Sequence, residues 1–459
     1  MKKILRRLLQ SVALLLALGV VASAEDVAPA NNDTVAVDNS VLLDPFTFET
    51  PETGHYGHRH DGRGGGGGYF GDGYAGYDGE REHAWGHDVA IVDCSGHRGF
   101  PSISEAVEHV APFGEVRVLS GFAGAPCMET VLIDKPVRIV GDRRGEPVTV
   151  ASPPGQSCLM VRTEATVVLR DIRFAGHAHD VPCIELEEGR LIVRDVDIDA
   201  HGSNWAIDMG HGGFLAGAHL HIATDGAGIN ANGSRLKIAD LAIDMEHGSP
   251  AGLMLERTDG EIEGLRLHGG HIGLEASPGS DQLALIQVDI SDVDRGLRLR
   301  QSSTPGAIAV TGLSIRNAGL GVAVGPDARV SISEGQIVGT NWAAIAIFHG
   351  APFIHEVRIM RGEYGFWIAG GDENVELDGN RIEGTWHAPI FFAQPGPARI
   401  VHNVLECNAH GHCLTGGDES QIIHADNTCI FQGTPGPCEA APDPAAPAAG
   451  SPGGAPPPH

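Results

Sequence analysis

The chain has 459 residues, of which 42% are hydrophobic and 20% charged, a composition that argues against wholesale disorder and leaves room for one large domain or two ordinary ones. Its 31 lysines and arginines against 59 acidic residues give a net charge of −28, whose field repels polyanions and argues against a nucleic-acid-binding protein. The 64 glycines follow no three-residue period, which excludes a collagen-like chain.

The N-terminus predicts an export signal over residues 1–24. Basic residues at positions 2, 3, 6 and 7 precede the apolar run Val12–Val21, and Ala22-Ser23-Ala24 offers small residues to a signal peptidase. The run is shorter than the roughly 18 residues that cross a membrane, so cleavage is favoured over an uncleaved anchor and no transmembrane segment is expected afterwards. We therefore expect the protein in the periplasm, on the cell surface or outside the cell.

Two flanking segments lack regular apolar spacing. The leader, residues 25–87, is acidic at first and then rich in histidine and glycine, and the tail, residues 440–459, is rich in alanine, proline and glycine. We expect both to be disordered extensions of the domain. The histidines of the leader are potential ligands for copper, nickel or zinc, although a plain linker is the favoured interpretation.

The region 88–439 contains an internal repeat. Short apolar alternations recur with spacings of 21–25 residues, about 23 on average, which is the length of one turn of a parallel β-helix. Leucine-rich repeats have a similar length but need a fixed leucine framework, which most units here lack. The sequence therefore predicts an all-β fold, a single-stranded right-handed parallel β-helix (a solenoid) of about 13 turns. The central positions of the units are Ile172, Val196, Leu220, Leu241, Leu265, Val288, Leu313, Gly335, Val357, Asn380, Asn403 and Asn427.

An amphipathic helix precedes the repeats. The stretch 102–110 places its apolar residues on one helical face, and Ser102 with Glu105 forms a capping box. Strand-like segments follow at 115–119 and 137–140. Because a solenoid leaves open sheet edges at its ends, we expect this helix to cap the N-terminal end.

Three asparagines and the cysteines fit the same register. Asn380, Asn403 and Asn427 occupy equivalent inward corners, where stacked amides satisfy buried backbone groups, and this structural role is favoured over a catalytic one. Cys158 and Cys183 are 25 residues apart, so adjacent turns bring them within disulfide reach. The other expected pairings, local ones, are Cys94–Cys127, Cys407–Cys413 and Cys429–Cys438.

The order of elements carries a family resemblance. A helix at 102–107, a strand at 115–121 and the segment Glu129-Thr-Val-Leu-Ile-Asp-Lys-Pro-Val-Arg-Ile-Val-Gly141 resemble the opening of pectinesterases and of pectin-lyase-like right-handed β-helix proteins. The later Asn-x-apolar and Gly-x-apolar turns are similar to those of bacterial carbohydrate-binding and sugar-hydrolase β-helix domains, including the periplasmic copper-accessory type. Together these cover about 88–432 and imply the fold. They imply little about activity, because such proteins include lyases, hydrolases, esterases, epimerases, adhesins and phage tailspikes.

No complete catalytic signature of these families is present. The pectinesterase segments Gly-Asp-Thr, Asp-Phe-Ile-Phe-Gly and Leu-Gly-Arg-Pro-Trp are missing, as is the Asp-Pro-His of alginate epimerases. Gly210-His211-Gly212 matches one of the four polygalacturonase segments, and Asn204-Trp-Ala-Ile-Asp208 is similar to the Trp-Ile-Asp-His of some pectate lyases, with an insertion and no adjacent histidine. His211 and Asp208 are therefore weak catalytic candidates. The sequence does not decide whether the protein is an enzyme; if it is one, we expect a polysaccharide hydrolase or lyase.

Equivalent positions on successive turns become neighbours, which aligns Asp195, His219 and Asp240 and sets Asp197 over His221. Such a cluster could bind a divalent cation, namely calcium, zinc or copper. It could also raise one carboxyl pKa and lower another for acid–base catalysis, which makes Asp195 and Asp197 further weak catalytic candidates. The favoured alternative is a solvated polar face in an acidic protein.

Trp342, Tyr364 and Trp386 are spaced by 22 and 22 residues, which predicts an aromatic stripe along the coil. Its rise of about 4.8 Å per turn is close to the length of one sugar residue, so the stripe would bind a polysaccharide. Carboxylates near this stripe, such as Glu363 and Glu383, would be the first catalytic candidates if the protein cleaves a glycan. Aromatic stacking inside the coil is an equal alternative.

One basic patch stands out in this acidic chain. Arg295, Arg298 and Arg300, with Arg316 on the next turn, could hold a uronate or sulfate group. A solvated face with ion pairs to the neighbouring residues Asp292 and Asp294 is the favoured alternative.

Two functions follow from these patterns. The first is an exported β-helix protein that binds, and in one interpretation cleaves, an extracellular or cell-envelope polysaccharide along one face. The second is a non-catalytic surface or periplasmic scaffold that binds metal through the Asp/His cluster or the leader. Neither pattern indicates an oligomeric state.

Overall fold

The computed structural model describes residues 87–438, with gaps at 121–123, 143–146, 178–179, 278, 281, 301–307, 371–373 and 417–421. The expected export signal, all of the leader except His87, and the tail lie outside the described residues. Within that part of the chain, no helix has the length and apolar character needed to span a membrane.

Alternating apolar side chains define the interior of the coil. In β12 (Arg235–Met245), Leu236 and Leu241 are buried, whereas the residues between the buried positions face outwards. Leu220 pairs in parallel with Leu241 on the following turn and with Val196 on the preceding one. The predicted repeat of about 23 residues is thus one turn of a right-handed parallel β-solenoid of about 13 turns, as the sequence predicts.

One stack of parallel strands forms what we call the front sheet. Its members are β4 (Val131–Ile133), the first residues of β7 (Leu159–Ala175) and β8 (Ile184–Asp199), β9 (Trp205–Met209), β11 (Ala227–Asn232), β13 (Ala251–Glu256), β15 (Ile272–Ala276), β17 (Arg295–Leu299), β19 (Leu320–Val324), β21 (Ala343–Phe348), the last residues of β22 (Phe353–Ala369) and β24 (Arg381–Gln394), and β27 (Leu414–Gly416).

The remaining strands, with the other parts of β7, β8, β22 and β24, form the back of the coil. They are β1 (His87–Val92), β2 (Val110–Val118), β3 (Cys127–Met128), β5 (Val137–Gly141), β6 (Val148–Ala151), β10 (Phe214–Thr224), β12, β14 (Asp259–His268), β16 (Leu283–Ser291), β18 (Ile308–Arg316), β20 (Val330–Val338), β23 (Val375–Asp378), β25 (Ala398–Val401), β26 (Val404–Glu406), β28 (Ile422–Ala425), β29 (Thr428–Phe431) and β30 (Thr434–Pro437).

The back strands bend at one residue per turn. Asp195, His219 and Asp240 have φ values of 52°, 56° and 52°, in the left-handed region, and they stand at the same corner of three successive turns. Non-glycine residues are uncommon in this region, and Asp, Asn and His tolerate it best. The alignment predicted for these three residues is therefore present, and the backbone conformation of the corner accounts for their residue types.

Glycines let the front strands approach one another at another corner of the coil. A side-chain carbon placed on Gly273 would lie 2.6 Å from the carbonyl oxygen of Gly296 on the next turn, closer than carbon and oxygen can pack. Glycine is therefore required at this point, which accounts for part of the high glycine content.

The predicted helix is present as α1 (Ile103–His109). The Ser102 hydroxyl accepts a hydrogen bond from the Glu105 N–H, as predicted, and the Glu129 carboxylate accepts bonds from the N–H groups of Ile103 and Ser104. Its expected role as a cap is not supported. The helix is a short connection between β1 and β2, and the outer strand beside β2 is β1.

The predicted asparagine ladder and disulfides are confirmed. The Asn403 side-chain oxygen accepts a bond from the Asn380 N–H at 2.8 Å, and that of Asn427 accepts one from the Asn403 N–H at 2.9 Å. Asn380 and Asn403 are fully buried. All eight cysteines are paired, as Cys94–Cys127, Cys158–Cys183, Cys407–Cys413 and Cys429–Cys438.

Candidate functional site

In the Asp/His cluster on the back of the coil, His221 contacts two carboxylates and His219 contacts one. His221 lies 3.5 Å from Asp197 and 3.0 Å from Asp244, and His219 lies 3.3 Å from Asp240. Within the described ranges, three ligand atoms converge within 4.8 Å only in groups that contain disulfide cysteines. The cluster therefore does not present a common centre for a cation.

The same back surface carries ion pairs between adjacent turns. Arg173 contacts Asp199 at 2.7 Å, and the Asp199 carboxylate is also 2.6 Å from the His201 ring. Partial burial opposes ionisation of Asp199, but the bonds from His201 and Arg173 outweigh it and lower the pKa of Asp199. The same bond to Asp199 raises the pKa of His201. These contacts join neighbouring turns, and each exposed pair contributes little alone.

Glu383 and Arg316 also belong to the back surface. Hydrogen bonds from Arg381, opposed by partial burial and supported by Arg358, lower the pKa of Glu383. Arg316 makes two bonds to Asp289 at 2.9 Å. Glu383 aligns with Met360 in the back part of β22, and Arg316 is the last residue of the back strand β18, so neither lies in the front sheet.

The predicted aromatic stripe is not continuous. Ala343, Tyr364 and Ala388 align in register. Trp342 stands one position before Ala343, and a bulge between Gly362 and Tyr364 in the pairing of β22 with β24 leaves Trp386 two positions before Ala388. Tyr364 is buried against the rings of His387 and Phe391, whereas Trp386 is 61% exposed. Trp342 instead packs on residues that the spacing did not indicate.

Three aromatic rings form a cluster on the front sheet, which we call the aromatic platform. The Trp342 ring centroid is 5.3 Å from that of Trp367 and 6.5 Å from that of Phe348, and the last two are 5.2 Å apart. All three are partly exposed. They pack outside the coil, because Ala346 lies beneath them while its neighbours Ile345 and Ile347 point into the core.

The platform belongs to an outer apolar cluster that is separate from the core. Its buried members are Leu320, Ala343, Ala346, Tyr364 and Ala388, and its partly buried members are Ala323, Trp342, Phe348, Trp367 and Phe391. Three of the five buried members are alanines, so small side chains form much of the surface beside the rings.

A single outward row runs through the centre of the front sheet. In register from the N-terminal to the C-terminal turns it reads Glu185, Asp208, Asn230, Met254, Glu275, Arg298, Ala323, Ala346, Trp367, Phe391 and Thr415. The row is charged and polar in its first half and apolar and aromatic in its second. The spacing of 23 residues between Glu185 and Asp208 is one repeat and indicates that they align on adjacent turns, but Glu185 belongs to none of the catalytic motifs considered above.

The N-terminal half of this row carries a carboxylate pair. Partial burial, then the carboxylates of Glu187 and Asp208, raise the pKa of Glu185 despite a contribution from Arg162. The Asn230 amide donates a hydrogen bond of 2.7 Å to Asp208. Two carboxyl groups side by side in different environments are the arrangement that acid–base catalysis uses.

The four catalytic candidates from the sequence do not come together. Asp208 lies in the front row, and His211 follows β9 as an exposed residue with its ring against Gly233. Asp195 and Asp197 are on the back strands. The residue that aligns with Asp208 on the preceding turn is Glu185, another carboxylate.

The arginine patch lies on β17. Arg298 and Arg300 contact Glu275 at 3.5 and 3.4 Å, and Glu275 is only 8% exposed. The expected partners, Asp292 and Asp294, pair instead with His268 at 3.4 Å and with His271 at 2.5 Å. The interpretation as ion pairs with these two aspartates is therefore wrong.

The chain is thus a parallel β-solenoid with a charged and aromatic outer sheet, which is the fold that the sequence predicts, and the pectinesterase-like opening stays a prediction. No protein-family model matches it, and no curated protein matches it. Among solved structures it is similar to the A-module of the mannuronan C-5 epimerase of Azotobacter vinelandii, with 10% identity, a TM-score of 0.37, and coverage of 70% of this chain and 90% of the other.

Two other solved structures are similar to a lesser degree. A periplasmic alginate epimerase variant has 10% identity and a TM-score of 0.29, over 69% of this chain and 73% of the other. The catalytic domain of a GH87 α-1,3-glucanase, in complex with nigerose, has 11% identity and a TM-score of 0.28, over 72% of this chain and 67% of the other.

Proposed function

We propose that this protein binds a polysaccharide along the front sheet, with a sugar ring stacked on the aromatic platform. The observation that carries the proposal is the cluster of Trp342, Phe348 and Trp367, packed together outside the coil and partly exposed. Aromatic faces offer large apolar contact surfaces, and Trp keeps a polar N–H group for a hydroxyl partner.

The geometry of the sheet favours a polymer over a small ligand. Its strands repeat every 4.8 Å or so, roughly the length of one sugar residue, and they present one outward side chain per turn in line. Asn230 in this row supplies an amide group, which can both donate to and accept from hydroxyl groups. A linear glycan can therefore repeat the same contacts along the coil.

Binding to a panel of plant and bacterial polysaccharides tests this proposal, measured by calorimetry with the full chain. Trp342→Ala and Trp367→Ala should each weaken binding about five- to tenfold. Trp386→Ala is the matched control, because Trp386 is exposed but does not contact the platform rings named above. Losses in Trp342→Ala and Trp386→Ala without a loss in Trp367→Ala would support the original stripe of Trp342, Tyr364 and Trp386 as the substrate-binding residues and contradict the platform.

We propose cleavage as a second candidate function, favoured by the raised pKa of Glu185 opposite Asp208. Two carboxyl groups about 5–10 Å apart serve glycoside hydrolysis, one as acid and the other as nucleophile or base. The full chain should then release new reducing ends from the polymer it binds, and Glu185→Gln or Asp208→Asn should abolish release while leaving binding intact. Release that persists in both variants would contradict these roles.

Two further parts of the sequence-based interpretation stay proposals. Export to an oxidising compartment is supported by the four disulfides. Metal binding by Asp195, Asp197, His219, His221 and Asp240 is less well supported, since these residues form separate pairs. Titration of calcium, zinc and copper into the wild type and Asp197→Ala tests it, and unchanged binding would exclude this cluster.

A further inference from the structure

The strand β17 concentrates positive charge on a protein whose net charge is −28. Arg298 projects outwards between the buried residues Leu297 and Leu299, and Arg300 follows at the next outward position. Arg295 aligns with Leu320, a member of the outer apolar cluster, and is therefore on the same surface. Three arginine side chains thus lie on one strand of the front sheet or directly after it.

One carboxylate faces these three cations from the adjacent strands. On the preceding turn, Ile272 aligns with Arg295, and Glu275 aligns with Arg298. On the following turn, the aligned residues are Leu320 and Ala323, both apolar. The nearest acidic residues in sequence, Asp292 and Asp294, contact histidines, and among the described residues Glu275 is the carboxylate that Arg298 and Arg300 contact.

The surroundings of this charge suit a ligand. The Arg298 side chain is 22% exposed and that of Glu275 is 10% exposed, so both charges are largely removed from water, where a pairing is stronger than on an open surface. Glu275 holds two of the guanidinium groups in place from the side of the preceding turn. The opposite side of the arginine row borders Leu320 and Ala323, two members of the outer apolar cluster.

The distance to the aromatic platform sets the position of a ligand group. β17 is two turns from β21, which follows Trp342, and three turns from the strand segment that carries Trp367. These steps correspond to about 10–14 Å, or roughly two to three sugar residues. A glycan stacked on the platform therefore reaches the arginines with a residue further along its chain.

We propose that β17 forms an anion-recognition subsite, in which Arg295 and Arg298 bind the carboxylate or sulfate group of a sugar two to three residues away from the one stacked on the platform. This inference rests on the proposed function and names the class of polysaccharide, an anionic one. Arginine suits this role, because its planar fork binds carboxylate and sulfate oxygens through paired hydrogen bonds.

The test compares charged and neutral forms of the same polymer at fixed ionic strength, with the full chain and calorimetric detection. One arm uses a polyuronate and its carboxyl-reduced form, and the other uses dextran sulfate and dextran. Arg295→Gln should weaken binding of the preferred anionic polymer about tenfold and leave the neutral form unchanged. The charged polymer that binds more tightly than its neutral form shows whether the recognised group is a carboxylate or a sulfate.

Arg316→Gln is the matched control, since it removes the same charge from the back surface, where Arg316 pairs with Asp289. Arg298→Lys keeps a positive charge beside Glu275, so the variant folds while losing the planar fork, and it should also lose affinity. Equal effects of Arg295→Gln and Arg316→Gln, or equal affinity for charged and neutral polymers, would overturn the subsite. Failure of every polymer to bind, in the wild type as in Trp342→Ala, would instead overturn the proposed function and the subsite with it.

Discussion

Glu185 and Asp208 lie directly opposite each other on adjacent turns of the front sheet. Burial and neighbouring carboxylates raise the pKa of Glu185, whereas Asp208 accepts a hydrogen bond from Asn230. The two carboxyl groups therefore have different environments although they occupy equivalent positions of the repeat.

The first prediction concerns this pair and pH. A raised pKa in the folded state means that Glu185 contributes stability below its unfolded pKa, and that this contribution is lost as the pH rises through the folded value. Glu185→Gln should therefore raise the melting temperature at pH 7 relative to the wild type and have less effect at pH 4. Glu188→Gln is the control, because Glu188 is exposed on the same strand. A stabilisation that does not depend on pH would contradict the shift.

His201 gives a second test of pH dependence, in which the substitution is expected to lower the stability of the fold instead of raising it. Its pKa is raised by the hydrogen bond to Asp199, and it also lies 3.3 Å from Glu246. Its stabilisation is complete below the unfolded pKa of about 6.5 and disappears as the pH rises through the raised folded value. His201→Ala should therefore destabilise the fold at pH 6 and have little effect at pH 9, measured by urea unfolding. His247→Ala, at an exposed position, is the control and should leave the stability unchanged at both pH values.

The asparagine ladder should be sensitive to loss of a single member. The Asn403 amide donates to the carbonyl groups of Leu377 and Val401 at 2.9 and 2.8 Å, and Asn403 is 1% exposed. Asn403→Leu removes the hydrogen bonds to both carbonyl groups and leaves the Asn380 N–H without its partner, at a cost of about 3 kcal/mol in the free energy of unfolding. Asn341→Ala, at an exposed position, should cost far less. Comparable losses in both variants would show that the ladder does not stabilise the turns.

The disulfides should differ in their contribution. Cys158–Cys183 closes a loop with a sequence separation of 25, and Cys407–Cys413 one with a separation of 6. Loop-closure entropy predicts losses of about 3.5 and about 2 kcal/mol when each pair is replaced by serine. Chemical unfolding of the two double variants would measure the difference, and a larger loss for the shorter loop would point to strain relief or to altered packing.

The sequence predicts the fold well because the repeat depends on local alternation. Spacings of 21–25 residues and the alternate burial within β12 follow from the same two-residue period of a strand. The pairing of Cys158 with Cys183 follows from the repeat length alone. The expected cap fails because amphipathicity predicts a helix at 103–109 but not the element on which it packs.

The surface was harder to predict, because a shift of one residue changes which side chains meet. Tyr364 aligns with Ala343 on one side and, because of the bulge at Gly362, with Ala388 on the other, so it is out of line with Trp342 and Trp386 although the spacing of 22 residues suggests a stripe. The alignment of His219 with Asp240 is correct, yet the positive φ at this corner cannot be inferred from spacing. Partners on adjacent turns, such as Glu275 for Arg298, depend on which outward row each residue joins.

The left-handed corners make the turns of this coil interchangeable. The bend at His219 or Asp240 is set by one backbone conformation rather than by a long loop of particular sequence, so a copied turn can enter between two existing ones without changing how either is bent. Each added turn contributes one more strand to the front sheet and one more residue to its outward row. Duplication or loss of repeats would therefore change the number of sugar residues that the surface spans, while the aromatic and arginine positions on either side keep their own local contacts.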